Sequence, residues 1–299
     1  MAVIIRSPDD VTAAVLAVMG QTRDPRLREI MTSLARRLHG FVREVNLTEA
    51  EYRAAGAVLA RLGQQCTDTH NEVVLMGGSL GLSQLVCLIN NGDMGAHETT
   101  QNMLGPFWRL NQPVAQNGGS IVRSPTPGPE LFATLRFVDG KGAPVADAEV
   151  DIWQSSPVGL YEQQDPDQAA MNLRGKFRTD AQGKIWFRSV TPGPYPIPTS
   201  GVVGQLLEAQ GRHPYRPAHM HALAHKDGFK TVISQIYVRQ DPYYDTDVQF
   251  GATEATTGDY VQHDEPHPDH PEVQAPWYSL DYTLVMEPGD ARLPIPPIK

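Results

Sequence analysis

At 299 residues, 40% of them apolar and 20% charged, the chain is long enough to bury a sizeable core in one large domain or two smaller ones. A formal net charge of −9 argues against non-specific nucleic-acid binding, which needs basic surface to displace counterions, and against anionic membranes. Two cysteines without metal-type spacing, Cys66 and Cys87, indicate a reduced, cytoplasmic protein, and Met1 to Asp10 lacks the basic-then-apolar pattern of a signal peptide.

The first third reads as helical. A short helix is expected over Asp10 to Met19. Asp24 followed by Pro25 forms an N-cap with proline at the first helical position. Beyond it Leu27, Ile30, Met31, Leu34, Leu38, Phe41, Val42 and Val45 recur at three- and four-residue steps, the apolar face of a long helix. Thr48 and Glu51 spell a capping box for the next helix. The stretch from Val73 to Ile89, interrupted by Gly77, Gly78 and Gly81, is too short to span a bilayer comfortably and reads as a buried helical segment. Near residue 104 the texture changes to a Pro-, Gly- and Asn-rich connection, followed by short alternating runs. Strands are expected around Phe132 to Val138, Val150 to Trp153, Lys184 to Val190, Thr231 to Arg239 and Tyr278 to Met286. The expected class is α+β: a helical domain over residues 1–104, then an antiparallel β-sandwich over residues 105–299.

Chemistry gathers in the second part. In Arg216-Pro217-Ala218-His219-Met220-His221, two histidines two apart on a strand present their imidazoles to one face. Alone, such a pair is as readily two polar residues on a wet strand. Tyr161 closes Gly159-Leu160-Tyr161, and Tyr195 lies in the rigid frame Pro192-Gly193-Pro194-Tyr195-Pro196-Ile197-Pro198. Each tyrosine alone is more often a packed aromatic. His263, His267 and His270 lie in an acidic, proline-rich run expected to be a solvated loop. Asp241, Asp245 and Asp247 lack calcium-loop spacing. No phosphate-binding glycine loop or Gly-x-Ser-x-Gly elbow is present.

Together these segments, with Gly105-Pro106-Phe107-Trp108, Asp151-Ile152-Trp153, Asn172-Leu173-Arg174-Gly175 and Gly211-Arg212-His213, resemble the intradiol ring-cleaving dioxygenases of the catechol, chlorocatechol and hydroxyquinol type, over roughly residues 25 to 290. The resemblance implies one Fe(III) per subunit held by Tyr161, Tyr195, His219 and His221. Arg216 and Gln235 would line the substrate site, with Arg216, Tyr195 and Gln235 in catalytic roles and Asn172 and Arg174 structural. Phenolate donors are hard and anionic, which suits Fe(III) over Fe(II). The substrates would be O2 and a small aromatic diol or triol. The pocket would draw on Leu75, Gly78, Gly105, Pro106, Phe107, Ile197, Pro198 and Val248, with Val74, Met103 and Phe250 nearby. Phe107, Ile197-Pro198 and Val248 resemble the hydroxyquinol enzymes, implying conversion of 1,2,4-benzenetriol to 3-hydroxy-cis,cis-muconate, the tautomer of maleylacetate. Gly78 departs from that pattern, since many of those enzymes carry an acidic residue there, so catechol or a substituted catechol stays open. Other classes also stay open: a non-catalytic β-sandwich binding protein, and a Zn or Fe(II) hydrolase using His219, His221 and Asp227. The resemblance further implies a homodimer through the N-terminal helices, with a lipid-like ligand between them.

Overall fold

Ser7 opens the first helix, α1 (Pro8–Met19), through a capping box in which Ser7 and Asp10 satisfy each other's backbone N–H. The computed structural model describes residues 4–91 and 99–295. Asp24 accepts the Leu27 N–H at 2.6 Å and starts α2 (Pro25–Glu44) as its sequence requires. Thr48 and Glu51 close the expected capping box at the start of α3 (Glu49–Gln64). Arg43 of α2 ties back to α1 by donating to the Pro8 carbonyl and Thr12 Oγ1. The apolar stripe of α2 from Leu27 to Val45 stays exposed, and no α2 residue is buried.

The chain forms two compact units, Met1–Arg61 and Leu62–Lys299. The second contains the sheets and three further helices. The single buried helix expected over Val73 to Ile89 is corrected on two counts. It is broken into α4 (Glu72–Ser79) and α5 (Leu82–Asn90), which meet at 76° across Gly81, whose φ of +73° favours glycine. Its apolar residues Val73, Val74, Leu82, Leu85, Val86 and Ile89 are more than half exposed, whereas Glu72, Gly78, Ser79, Gln84 and Cys87 are buried. Glu72 is held inside by the Val203 N–H at the start of α6 (Val202–Ala209), a helix with no expectation behind it. Among the described residues no single helix is long and apolar enough to cross a membrane.

Eleven strands follow in the described residues: β1 (Glu130–Asp139), β2 (Glu149–Gln154), β3 (Arg174–Arg178), β4 (Lys184–Val190), β5 (Tyr195–Pro196), β6 (Tyr215–Arg216), β7 (His219–His225), β8 (Val232–Val238), β9 (Thr257–Gly258), β10 (Tyr260–His263) and β11 (Trp277–Met286). One sheet runs β10-β11-β1-β4, the other β3-β2-β7-β8-β9, and β5 pairs with β6 alone. The sandwich is mixed rather than wholly antiparallel: β1 runs parallel to β11 and β8 to β9. No short hairpin joins either pair, so nothing local forces an antiparallel turn.

Period-2 alternation decides what faces the core. Leu131, Ala133, Leu135 and Phe137 of β1 meet Val150 and Ile152 of β2 and Met220, Ala222 and Ala224 of β7 in one cluster between the sheets. β7 is buried on both faces. Its other face carries His219, His221 and Leu223, and a second cluster of Trp108, Trp153, Tyr161, Tyr195 and Leu223 covers it. That cover creates the interior into which both histidines project.

Candidate active site

Strand register sets the layout. His219 stands opposite Tyr237 of β8, while His221 lies between Trp153 of β2 and Gln235 of β8. The His221 ring stacks on Trp153 at 4.5 Å and 10°. His219 Nδ1 lies 2.7 Å from the Pro217 carbonyl, which can only accept, so Nδ1 carries the proton and Nε2 offers a lone pair. The two histidine Nε2 atoms are 3.2 Å apart, and Tyr195 Oη lies 3.4 Å from that of His219.

The tyrosine loops interlock. Ser155 Oγ donates to the Gly193 carbonyl, and the N–H groups of Gly159 and Gly193 both donate to the Ser156 carbonyl. This packs the turn before Tyr161 against the proline frame of Tyr195. The two phenol rings meet edge to face at 5.6 Å, and Phe107 lies 4.2 Å from the Tyr161 ring. Below them Arg174 is fully buried, donating to Glu162, Gln163 and the Phe107 carbonyl. Asn172 receives the Arg123 N–H. Both are fully buried and bonded to neighbouring loops.

Burial dominates the electrostatics. It pushes the His219 pKa down to about 3, helped by the Arg216 charge, and holds His221 well below the imidazole range. It also drives the Tyr161 phenol well above its usual value, with Tyr195 adding to the rise. Tyr161 Oη and His221 Nδ1 are buried with no hydrogen-bond partner. In native interiors an orphaned buried hydroxyl is uncommon and calls for an explanation. His219 offers a lone pair at Nε2, and with the His221 proton on Nδ1 the His221 Nε2 faces it with a second, an arrangement that a cation between them would explain. Their 3.2 Å separation is close to the ~3 Å of two nitrogens each about 2.1 Å from one ion and at right angles. Two neutral imidazoles and two phenols therefore fit a hard, highly charged metal ion. No group of three or more His, Cys, Asp or Glu among the described residues could hold a metal, which leaves the hydrolase reading with Asp227 without its third ligand.

Arg216 lies on β6, in register with Tyr195 of β5. It bonds Asp247, Gln235 and Tyr237, all four side chains being buried. Burial opposes its charge, but Asp247, Tyr237 and Tyr195 outweigh that and raise its pKa well above normal. Burial likewise works against the Asp247 carboxylate, yet Arg216 and backbone N–H groups hold its pKa below the usual value. Gln235 reaches the junction, donating to the Met103 carbonyl. Sequence reasoning passed over Tyr237, although it lies two residues after Gln235 and so shares its strand face. In the sequence Asp247 stands out only as one of three nearby aspartates without calcium-loop spacing.

The expected pocket residues fall into two groups. Ile197 and Val248 pack together with Leu75 beside them, Phe107 touches both phenols, and a Cβ on Gly105 would stand 3.6 Å from His221. Gly78 is buried under the Gln249 side chain. Pro106, Pro198, Val74, Met103 and Phe250 are exposed. The His263 to His270 run is less solvated than expected: His263 stacks on Trp277 at 3.9 Å, and His267 and His270 pack on Phe132.

Comparison with known proteins places these features in company. The family profile described as "Dioxygenase" matches residues 103–284, and that described as "Catechol dioxygenase N terminus" matches residues 24–97. A hydroxyquinol 1,2-dioxygenase of Rhizobium sp. (strain MTP-10005) is 42% identical over 248 residues, covering 82% of this chain and 83% of its own length. A 6-chlorohydroxyquinol 1,2-dioxygenase of Cupriavidus pinatubonensis is 35% identical over 281 residues, covering 93% and 97%. The solved hydroxyquinol 1,2-dioxygenase of Pseudomonas putida DLL-E4 superposes with a TM-score of 0.87 at 33% identity, covering 94% of this chain and 99% of its own.

Proposed function

The chain belongs to the intradiol ring-cleavage dioxygenases, a family of non-haem iron enzymes, and from that premise we propose that it opens hydroxyquinol between its adjacent hydroxylated carbons. Both atoms of O2 enter the product, 3-hydroxy-cis,cis-muconate, the tautomer of maleylacetate. Tyr161, Tyr195, His219 and His221 hold one Fe(III) per chain. The observation that carries this reading is the buried convergence of the two imidazole Nε2 atoms with the phenols of Tyr195 and Tyr161. When bound, a ferric ion would supply Lewis acidity that favours the ionised diol.

The chain's own residues do the rest. Tyr195 sits on a two-residue strand beside the exposed Pro196, and its Oη, ionised when iron is bound, would take one of the two protons that the entering diol loses. Arg216 keeps its charge throughout and meets negative charge developing on the substrate oxygens in a water-poor interior. Trp108, Trp153 and Phe107 wall the site against water. Ile197, Val248 and Leu75 pack together, and the resemblance to the hydroxyquinol enzymes makes them the candidate apolar wall for the ring.

A visible spectrum of the purified iron-loaded protein tests this. A broad charge-transfer band at roughly 450 nm is expected from tyrosinate donors on Fe(III), shifting to longer wavelength when hydroxyquinol is added without oxygen. A protein that stays colourless after iron loading would sink the reading. A second substrate, catechol or a substituted catechol, is favoured by the bare Gly78, which supplies no polar side chain of its own. Relative kcat/KM for hydroxyquinol and catechol separates the two, because a site built to bond a hydroxyl discriminates strongly against its absence.

The exposed stripe of α2 supports a homodimer, since an apolar face that wide is normally covered. A lipid-like ligand would lie along the same stripe. Sedimentation at micromolar protein is expected to give twice the chain mass of 32.9 kDa; a monomer would count against the dimer. The free thiols of Cys66 and Cys87 fit a reducing cytoplasm.

A further inference from the structure

We propose that Asp247 is a positioning residue: it grips one edge of the Arg216 guanidinium and so reserves the remaining nitrogen, Nη1, for an oxygen of the substrate. The inference rests on the reading of Arg216 as the cation that faces the diol.

The hydrogen bonds around Arg216 are lopsided. Nε donates to Asp247 Oδ1 at 3.2 Å, and Nη2 lies 3.1 Å from Asp247 Oδ2, 3.0 Å from Gln235 Oε1 and within reach of Tyr237 Oη. Nη2 therefore has three acceptors for its two protons. Nη1, with two protons of its own, has no partner among the described residues. A guanidinium is a planar fork, so fixing the Nε–Nη2 edge fixes the direction of Nη1. Arg216 stands in register with Tyr195, so this directed donor belongs to the tyrosine end of the site.

Asp247 is itself held to a degree that only a fixed part needs. Oδ1 takes the Gln249 N–H at 3.1 Å, and Oδ2 takes those of Gly251 at 2.8 Å and Ala252 at 3.2 Å. A loop thus wraps the carboxylate and presents it as an immobile acceptor. Gly251 closes the far side: a Cβ there would stand 2.7 Å from Arg216 Nη2 and press on the Tyr237 hydroxyl. Tyr237 in turn donates to Gln235, which holds the Met103 carbonyl. A salt bridge serving the fold alone would gain from pairing every donor of a buried arginine. Here Nη1 has no partner among the described residues yet is not sealed in the packed interior, so its two protons face accessible space.

The test is a double-mutant cycle on the iron-loaded full chain, with Asp247→Asn, Arg216→Gln and the pair combined. Asn keeps the shape and one acceptor but loses the second charged oxygen. Asp247→Asn is expected to lower kcat for hydroxyquinol about 100-fold, the scale of a roughly 1 Å misplacement, with iron content and the resting charge-transfer band unchanged. In the Arg216→Gln background the same change should cost less than about 3-fold, because there is nothing left to position. Equal costs in both backgrounds, or an Asp247→Asn enzyme within about 2-fold of wild type, would overturn the proposal. If Asp247→Asn does not fold, Asp247→Glu keeps the charge and displaces the guanidinium; reduced kcat with an intact resting band supports the proposal, and wild-type kcat refutes it. A wild-type protein inert towards every diol would remove the functional reading, whereas an active one with equal costs removes only this inference.

Discussion

Tyr161→Phe is expected to abolish ring cleavage while leaving the iron-free protein at least as stable as the native chain. The Tyr161 ring is wedged between Phe107 and the edge of Tyr195 and is almost wholly buried, so phenylalanine keeps every packing contact. Only Oη is lost, and Oη makes no hydrogen bond of ordinary geometry, although Tyr195 lies near enough to perturb it. An unsatisfied buried polar group costs about 1–3 kcal/mol, so removing it should relieve that penalty. In a chain of this size a gain of about 1 kcal/mol raises Tm by roughly 2 °C. Iron binding should change in the opposite sense. Losing one of two anionic donors should weaken iron by more than the roughly 10- to 100-fold that follows loss of a mere supporting group, and the charge-transfer band should fade. Thermal unfolding of chelator-treated protein and an iron assay read the two halves independently. A variant destabilised by more than about 1 kcal/mol would show that the hydroxyl has a structural partner. A variant that kept iron and colour would remove Tyr161 from the ligand set.

This pairing of a stability gain with a functional loss shows what the sequence could convey. His219 and His221 were legible because period 2 on a strand is a local rule, and both imidazoles do share one face of β7. Tyr161 and Tyr195 stood out by their glycine and proline frames. The strand positions followed from alternation, and β4 falls on the expected residues. What escaped was set by contacts distant in sequence. The parallel pairing of β1 with β11 joins segments about 150 residues apart and leaves no local trace. The break at Gly81 looked like one more glycine in an apolar run, and only the positive φ identifies it as a corner. Asp241, Asp245 and Asp247 are alike in sequence, yet the fold puts Asp247 alone against Arg216. Tyr237 was within reach of the same period-2 argument that found the histidines.

Gly159→Ala is expected to damage the site far beyond its size, because Gly159 is a point where the two tyrosine loops touch. Its φ is +81°, a region that costs a residue with a Cβ about 1–2 kcal/mol. A Cβ there would also land on the Pro194 carbonyl oxygen and lie 3.3 Å from Tyr195 Cβ. Overpacking of that kind adds about 1–3 kcal/mol, so a loss of about 3 kcal/mol is expected, and with it a Tm lower by roughly 6 °C. The backbone at Pro194 can yield only by moving Tyr195, its neighbour in the chain, so the clash becomes a displacement of one phenol relative to the other. A shift on the order of 1 Å at a reacting group costs about 100-fold in rate. Gly142→Ala separates strain from displacement: Gly142 has the same φ of +81°, but nothing lies within 4 Å of its would-be Cβ. That variant should lose about 1 kcal/mol and keep its kcat. If Gly159→Ala behaves like Gly142→Ala, with a modest Tm change and full activity, then the loops can slide past each other. The spacing of Tyr161 and Tyr195 would then be set from below, by Arg174 and its bonds to Glu162, Gln163 and the Phe107 carbonyl, rather than by the glycine contact above.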